Sequence, residues 1–326
     1  MSAVAVIGGG AWGTALASVT ARKGLATTLY ARDPDTVEAV NVRHENARYL
    51  PGIALPPALV ATPSLAEAVD GAGIVLTVVP AQTLRSVAEE LRPLLPPGVP
   101  IVLCSKGIEA STGAFGSAIV ADVRPGGPVA VLSGPSFAHD VAANLPTAVT
   151  LACADAPTAE TLAATLSSAS LRIYASDDVA GVEAGGALKN VLAIAAGAVA
   201  GRGLGASAQA AIVTRGLSEL RRLGLALGAR PETLTGLSGL GDLVLTCGST
   251  QSRNFAYGMA LGRGDDLSRL KLAEGVHSAG VAARLARAQG VEAPIVEAVA
   301  AILSGALSLD AAIEGLLSRP LRREED

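Results

Sequence analysis

Val4-Ala5-Val6-Ile7-Gly8-Gly9-Gly10-Ala11-Trp12-Gly13 is the stretch that decides the fold. Four apolar residues run straight into glycines, and Ala15–Arg22 behind them carries a helical pattern. Gly8, Gly10 and Gly13 fit G-x-G-x-x-G between a strand and a helix, the context in which the motif holds a dinucleotide. The first glycine makes the tight turn, the second lets the backbone approach a pyrophosphate, and the third permits close helix–strand packing. The helix N-terminus then faces the dianion.

Outward from this unit, strand-like runs recur at Thr27–Ala31, Leu59–Thr62, Gly73–Val79, Ile101–Cys104 and Val129–Leu132, with Ala148–Ala152 and Leu171–Tyr174 beyond. Several end in glycine or proline, as at Pro80, Ser105-Lys106-Gly107 and Ser133-Gly134-Pro135. Continuous apolar strands alternating with helices predict an α/β Rossmann-type domain whose mostly parallel sheet is covered on both faces. From Gly186 onward helical stretches dominate: Ala187–Ala200, Ala206–Leu227, Leu270–Ala288 and Ile295–Leu303. The expected division is a Rossmann domain over 1–184 and an all-α domain over 185–326.

Composition narrows the function. The chain has 326 residues, half of them hydrophobic, enough for two cores, and a net charge of −4 that argues against nucleic acid as the main partner. A phosphorylated small molecule needs only a few local basic groups. Cys104, Cys153 and Cys247 are far apart and odd in number, which suggests neither a zinc site nor a disulfide framework. No secretory signal is visible, and Val191–Gly201 reads as a buried helix too short to span a bilayer. A cytoplasmic setting is expected, with no metal and no membrane insertion, and the tail after Ser318 is expected to be solvated.

Tyr30-Ala31-Arg32-Asp33 ends the second strand, where the adenosine ribose is read. An acid there favours NAD and an arginine accommodates the 2′-phosphate of NADP; both are present, and Arg32 coming first tilts the reading towards NADP without excluding NAD. Val78-Val79-Pro80 should lie near the nicotinamide half.

Hydride transfer to a ketone needs a proton donor at the carbonyl oxygen. His44 lies in a polar stretch and is expected to be exposed; His139 could line a site or stay outside it; His277 is expected at the surface or in packing. Only four lysines occur. Lys106 directly follows a strand end, and Lys189 opens an apolar helix in Gly185-Gly186-Ala187-Leu188-Lys189-Asn190. A lysine so placed is either an acid/base group with a lowered pKa or a snorkelling surface cation. Asp242, alone among apolar and glycine residues in Leu237–Thr246, either pairs with such a lysine or caps a helix. Gln251-Ser252-Arg253-Asn254 offers a cradle for phosphate oxygens, and Glu274 could receive a ribose or order a loop.

Taken in order, GGGAWGTALA, YARDP, YLPG, VVP, SKGIE, SGPSFA, GALKNVLAIAAG, GLGDLVLTC and QSRN resemble the bacterial NAD(P)-dependent glycerol-3-phosphate dehydrogenase family, and AEGV and GVEAPI continue the likeness over essentially the whole chain. The resemblance implies a Rossmann domain and a helical domain with the site in the cleft, NADP or NAD as cofactor, dihydroxyacetone phosphate and glycerol 3-phosphate as substrate and product, a role in phospholipid synthesis, and a possible homodimer. It implies that Lys189 is the proton donor and acceptor, with Lys106 and Asp242 binding substrate and supporting it. Gly134, Ser136, Ser252, Arg253 and Asn254 would line the substrate site. Gly8, Gly10, Ala11, Trp12, Gly13, Arg32, Lys106, Ala138, Arg253, Leu272 and Glu274 would make the cofactor site. His139 and Ser278 depart mildly from the family pattern and touch only peripheral contacts. Two rivals are a dehydrogenase for another substrate, such as a β-hydroxy acid or a sugar phosphate, and a nucleotide sensor without catalysis. QSRN and GLGDLVLT speak against the first, and the trio Lys106, Lys189 and Asp242 against the second.

Overall fold

The computed structural model describes residues 3–270 and 273–320. Its strands are β1 Ala3–Ile7, β2 Thr27–Tyr30, β3 Glu45–Asn46, β4 Leu50–Ala54, β5 Val60–Thr62, β6 Ala72–Thr77, β7 Ile101–Leu103, β8 Val129–Ser133, β9 Thr147–Cys153 and β10 Leu171–Ser176. Eight of them form one sheet in the order β10-β9-β8-β7-β6-β1-β2-β5, and β3 and β4 pair separately as an antiparallel hairpin. Every neighbour in the large sheet is parallel except β8 and β9. The mostly parallel α/β sheet is therefore as expected, with one reversal that strand composition does not signal.

Both faces of the sheet are covered because successive side chains alternate. Val4 and Val6 enter one buried cluster with Leu29, Leu76 and Leu132, while Ala5 and Ile7 enter the opposite one with Val75, Ile101 and Leu103. The chain builds β2 and β5 on one side of β1 and returns to place β6 on the other. That reversal leaves a crevice at the carboxyl ends of β1 and β6, the usual ligand position in an open α/β sheet.

The helix Val179–Gly201 joins the two halves. Val182 packs into a sheet-face core, whereas Ala184, Leu188, Val191 and Leu192 belong to a separate helical core with Leu220, Leu243 and Phe255. This helix is longer than the sequence pattern suggested. Its 23 residues are long and apolar enough to cross a membrane, the apolar stretch Val191–Gly201 being only its second half, but most of the helix is buried inside the fold, as expected of a core helix. Helices Ala206–Ala226, Glu274–Ala288 and Pro294–Leu303 match the remaining expectations closely, the second starting four residues later than the pattern implied. The hairpin β3–β4 has no counterpart among the expected strands: β3 falls in the polar stretch around His44, and β4 takes up Leu50–Ala54. His44, expected to be exposed, is partly buried there on a left-handed backbone, with φ 51°. The solvated tail expected after Ser318 is described only as far as Pro320.

Candidate active site

The Gly-rich turn adopts the form its spacing predicts. Gly8 has φ +128°, and a Cβ there would lie 2.4 Å from the Val78 carbonyl oxygen, so the turn leans directly on the end of β6. A Cβ on Gly13 would fall 1.9 Å from the Gly8 oxygen, whereas one on Gly10 meets nothing within 4 Å. Space is thus closed behind the turn and open in front of it. The helix Ala11–Arg22 starts here with no side-chain cap and no acid in its first turn, leaving its N–H groups available to an anion. Among the described residues, Trp12 Nε1 and Glu274 Oε2 are buried without hydrogen-bond partners. A dinucleotide's phosphates fit the open front of the turn, and Trp12 Nε1, in the first turn of the helix that follows, is a donor fit to partner the same ligand.

Around the turn, Ala138 begins a short helix and packs with Ala11 and Trp12 against the same core. The hairpin is stapled to it: the buried Asn46 donates from Nδ2 to the Gly9 oxygen (3.0 Å) and to Thr14 Oγ1 (2.8 Å). Arg32 is exposed at the end of β2. Glu274 begins Glu274–Ala288 beside Gly107, where a Cβ would come within 3.0 Å of Oε2, and burial raises its carboxyl above the ordinary range. Leu272, expected at the cofactor, lies outside the described residues.

The chemistry sits where the sheet meets the helical core. Lys106 follows β7, Gly134 and Ser136 follow β8, Lys189 projects from Val179–Gly201, and Asp242 opens the helix Asp242–Cys247. Residues up to 136 apart in the chain converge. Asp242 accepts from Lys189 through Oδ1 at 2.5 Å and from Lys106 through Oδ2 at 2.8 Å. Asp242 therefore pairs with lysines and caps nothing. Lys189 also donates to Thr246 Oγ1 (2.7 Å), and Lys106 to the Gly134 carbonyl (2.9 Å), which accepts from Ser136 Oγ as well (2.9 Å). Among the described residues each ammonium thus spends two of its three donors, leaving one for a substrate oxygen.

One carboxylate between two ammonium groups leaves a net positive charge in a buried place: Asp242 is 1% exposed and Lys189 5%. Burial brings the Lys189 pKa down to about 8, and the charge of Lys106 pushes the same way, while Asp242 opposes both. The surface-cation reading of Lys189 is thereby excluded. Gly185 and Gly186 permit the approach, since a Cβ on either would collide with Ser238 or Ser133.

A second layer holds the first. Asn190 donates from Nδ2 to the Lys106 carbonyl (2.7 Å), Asn254 donates to Asn190 Oδ1 (2.8 Å), and Gly275 N–H donates to Asn254 Oδ1 (2.9 Å). Asn254 is therefore part of the scaffold of Lys106. Ser252 is the N-cap of Arg253–Arg263, accepting from Phe255 N–H at 3.2 Å, and Arg253 stands exposed at that helix start. Thr246 and Asn190 carried no assignment from sequence. The available signals were Thr246 four residues beyond Asp242 on one helix face, and Asn190 adjoining Lys189. His139 and His277 are exposed and join none of these contacts. All three cysteines are free and buried, and burial pushes Cys104 and Cys247 up to about 12, which keeps both as thiols.

Comparison with known proteins agrees with this geometry. Residues 3–159 match the family described as NAD-dependent glycerol-3-phosphate dehydrogenase N-terminus, and 178–314 the corresponding C-terminus. A protein of Mesorhizobium japonicum named glycerol-3-phosphate dehydrogenase [NAD(P)+] is 60% identical over 321 residues, 98% of this chain and 93% of its own. One of the same name from Brucella canis is 57% identical over 322 residues, 99% of each chain. The solved glycerol-3-phosphate dehydrogenase of Coxiella burnetii superposes with a TM-score of 0.93 at 40% identity, over 98% of this chain and 99% of that one. With both halves matched in order and the two lysines meeting one aspartate between them, the chain belongs to the NAD-dependent glycerol-3-phosphate dehydrogenase family.

Proposed function

We propose that this protein interconverts dihydroxyacetone phosphate and sn-glycerol 3-phosphate with NADPH or NADH, Lys189 serving as proton donor in reduction and acceptor in oxidation. The observation that carries the proposal is the buried Lys189–Asp242–Lys106 bridge at the same carboxyl edge of the sheet as the Gly-rich turn. When bound, the reduced nicotinamide supplies the hydride that goes to C2 of the ketone. Lys189, with one donor uncommitted, hands its proton to the oxygen as negative charge develops there. Lys106 adds positive charge at that oxygen, and Thr246 and Asp242 hold the Lys189 amine in line. Arg253, exposed at a helix start, and the Ser252 hydroxyl suit the phosphate of the substrate. Gly8, Gly10, Ala11, Trp12, Gly13, Arg32, Ala138, Leu272 and Glu274 are assigned to the cofactor, residues 1–184 to the cofactor domain and 185–326 to the substrate domain. The enzyme would act in the cytoplasm, as a homodimer, and feed phospholipid synthesis.

The test follows absorbance at 340 nm with dihydroxyacetone phosphate and each reduced cofactor in parallel. Rapid oxidation is expected. Protein that binds a cofactor yet oxidises neither with this ketone would move the assignment to another substrate or to a sensor.

A further inference from the structure

Asp33 ends β2 where a Rossmann acid normally receives the ribose 2′-hydroxyl. Here its carboxylate is already engaged. Oδ1 accepts from Asp35 N–H at 3.2 Å; Oδ2 accepts from Thr36 Oγ1 at 2.9 Å and from Arg48 Nη1 at 3.0 Å. Two donors fill the lone pairs of Oδ2. The third donor comes from outside the local turn, carried by the β3–β4 hairpin.

That hairpin does not hang free. Asn46, two residues before Arg48, is 1% exposed and ties the hairpin to Gly9 and Thr14 of the cofactor turn. Arg48 is thereby held beside the adenosine end of the crevice. Its guanidinium carbon lies 5.4 Å from the Tyr49 ring centroid, a stacking that orients the planar group. The side chain stays 67% exposed, and a guanidinium has five N–H donors, of which Asp33 takes one. Arg32, also exposed, forms no ion pair among the described residues.

From this arrangement we propose that Arg48 is a specificity-determining residue that selects NADPH over NADH, by occupying the Asp33 carboxylate and by presenting its guanidinium, together with that of Arg32, to the 2′-phosphate. The inference rests on the dinucleotide reading of the Gly-rich turn. Two effects point the same way. Pairing removes an acceptor that would reward a ribose hydroxyl, and it cancels the repulsion that a bare carboxylate would exert on a phosphate dianion. The uncommitted N–H groups then attract that dianion directly.

The test is calorimetric titration of the full chain with adenosine 2′-monophosphate and, separately, adenosine 5′-monophosphate, for wild type, Arg48→Ala, Arg48→Lys and Arg32→Ala. Arg48→Ala is expected to weaken the 2′-monophosphate about tenfold or more and leave the 5′-monophosphate unchanged, with Arg48→Lys between, because a lysine keeps charge but loses the fork. In turnover, the NADPH-to-NADH ratio of kcat/KM should fall by a similar factor, about tenfold. Unchanged 2′-monophosphate affinity in Arg48→Ala, with Arg32→Ala impaired, overturns the role of Arg48 and leaves the cofactor site standing. If the wild type binds neither nucleotide, the reading beneath it fails too.

Discussion

At the residue scale the protein turns on Lys189, and its neighbours explain its behaviour. A lysine on an apolar helix would ordinarily pull its head to water; here Asp242 and Thr246 give the ammonium partners inside. Burial and the charge of Lys106 bring its pKa down to about 8, so the proton is held at neutral pH and released just above it. The sign of the pH dependence follows. With Lys189 in the proposed role, ketone reduction would need the protonated amine, so its kcat/KM should fall as pH rises through about 8, while glycerol 3-phosphate oxidation would need the neutral amine and should rise through the same range. A reduction rate flat across that range would remove Lys189 as donor. Lys189→Ala should lower kcat by about 10²–10⁴-fold. Its nucleotide binding should persist, read by the fluorescence of Trp12, the one tryptophan of the chain. Turnover near wild type would end the assignment.

At the element scale, two helices cross unusually closely. A Cβ on Gly197 would fall 2.1 Å from the Phe255 oxygen, one on Gly258 2.1 Å from the Ile194 oxygen, and one on Gly262 2.4 Å from the Ala198 oxygen. Glycines four apart on each helix, Gly197 and Gly201 facing Gly258 and Gly262, let backbone touch backbone. The consequence reaches the site, because the second of these helices starts at Arg253 and Asn254, and Asn254 holds Asn190 and through it Lys106. Gly258→Ala should cost about 1–3 kcal/mol in thermal or denaturant unfolding, as overpacking does, and should also lower kcat/KM. A variant with lost stability but untouched activity would show that this crossing does not position the site. The spacing was present in the sequence, but a small-x-x-x-small pattern in an Ala-rich chain carries little meaning until the facing helix is known.

For the molecule as a whole, a net charge of −4 coexists with a local excess of positive charge where Lys106 and Lys189 share Asp242. Lys106 arrives from the sheet and Lys189 from the joining helix to meet at Asp242, and Arg253 starts the helix whose Asn254 holds Asn190 beside Lys189. The attraction is local and screened within about 8–10 Å at ordinary ionic strength. KM for dihydroxyacetone phosphate should therefore rise with added salt while kcat changes little; a KM insensitive to salt would argue that phosphate recognition is fully desolvated or lies elsewhere. The same convergence ties the two halves together, since the Lys106–Asp242 pair and the helix Val179–Gly201 bridge their cores.

Residue order alone determined the Rossmann unit, the eight strands of the large sheet and the helical second half, because glycine spacing and apolar runs are local signals with local causes. It also drew attention to Lys106, Lys189 and Asp242, each conspicuous as a lone charge in apolar or glycine-rich surroundings. It left open whether Asp242 capped a helix or met a lysine and whether Lys189 faced inward, since both depend on partners far along the chain. Only the tertiary structure decided those points. Only it revealed the antiparallel β8–β9 pair, the stapled hairpin that carries Arg48, and the relay from Gly275 through Asn254 and Asn190 to Lys106. Each of these is made by hydrogen bonds between segments that local propensity treats as independent, and the chain must fold before such segments can choose one another.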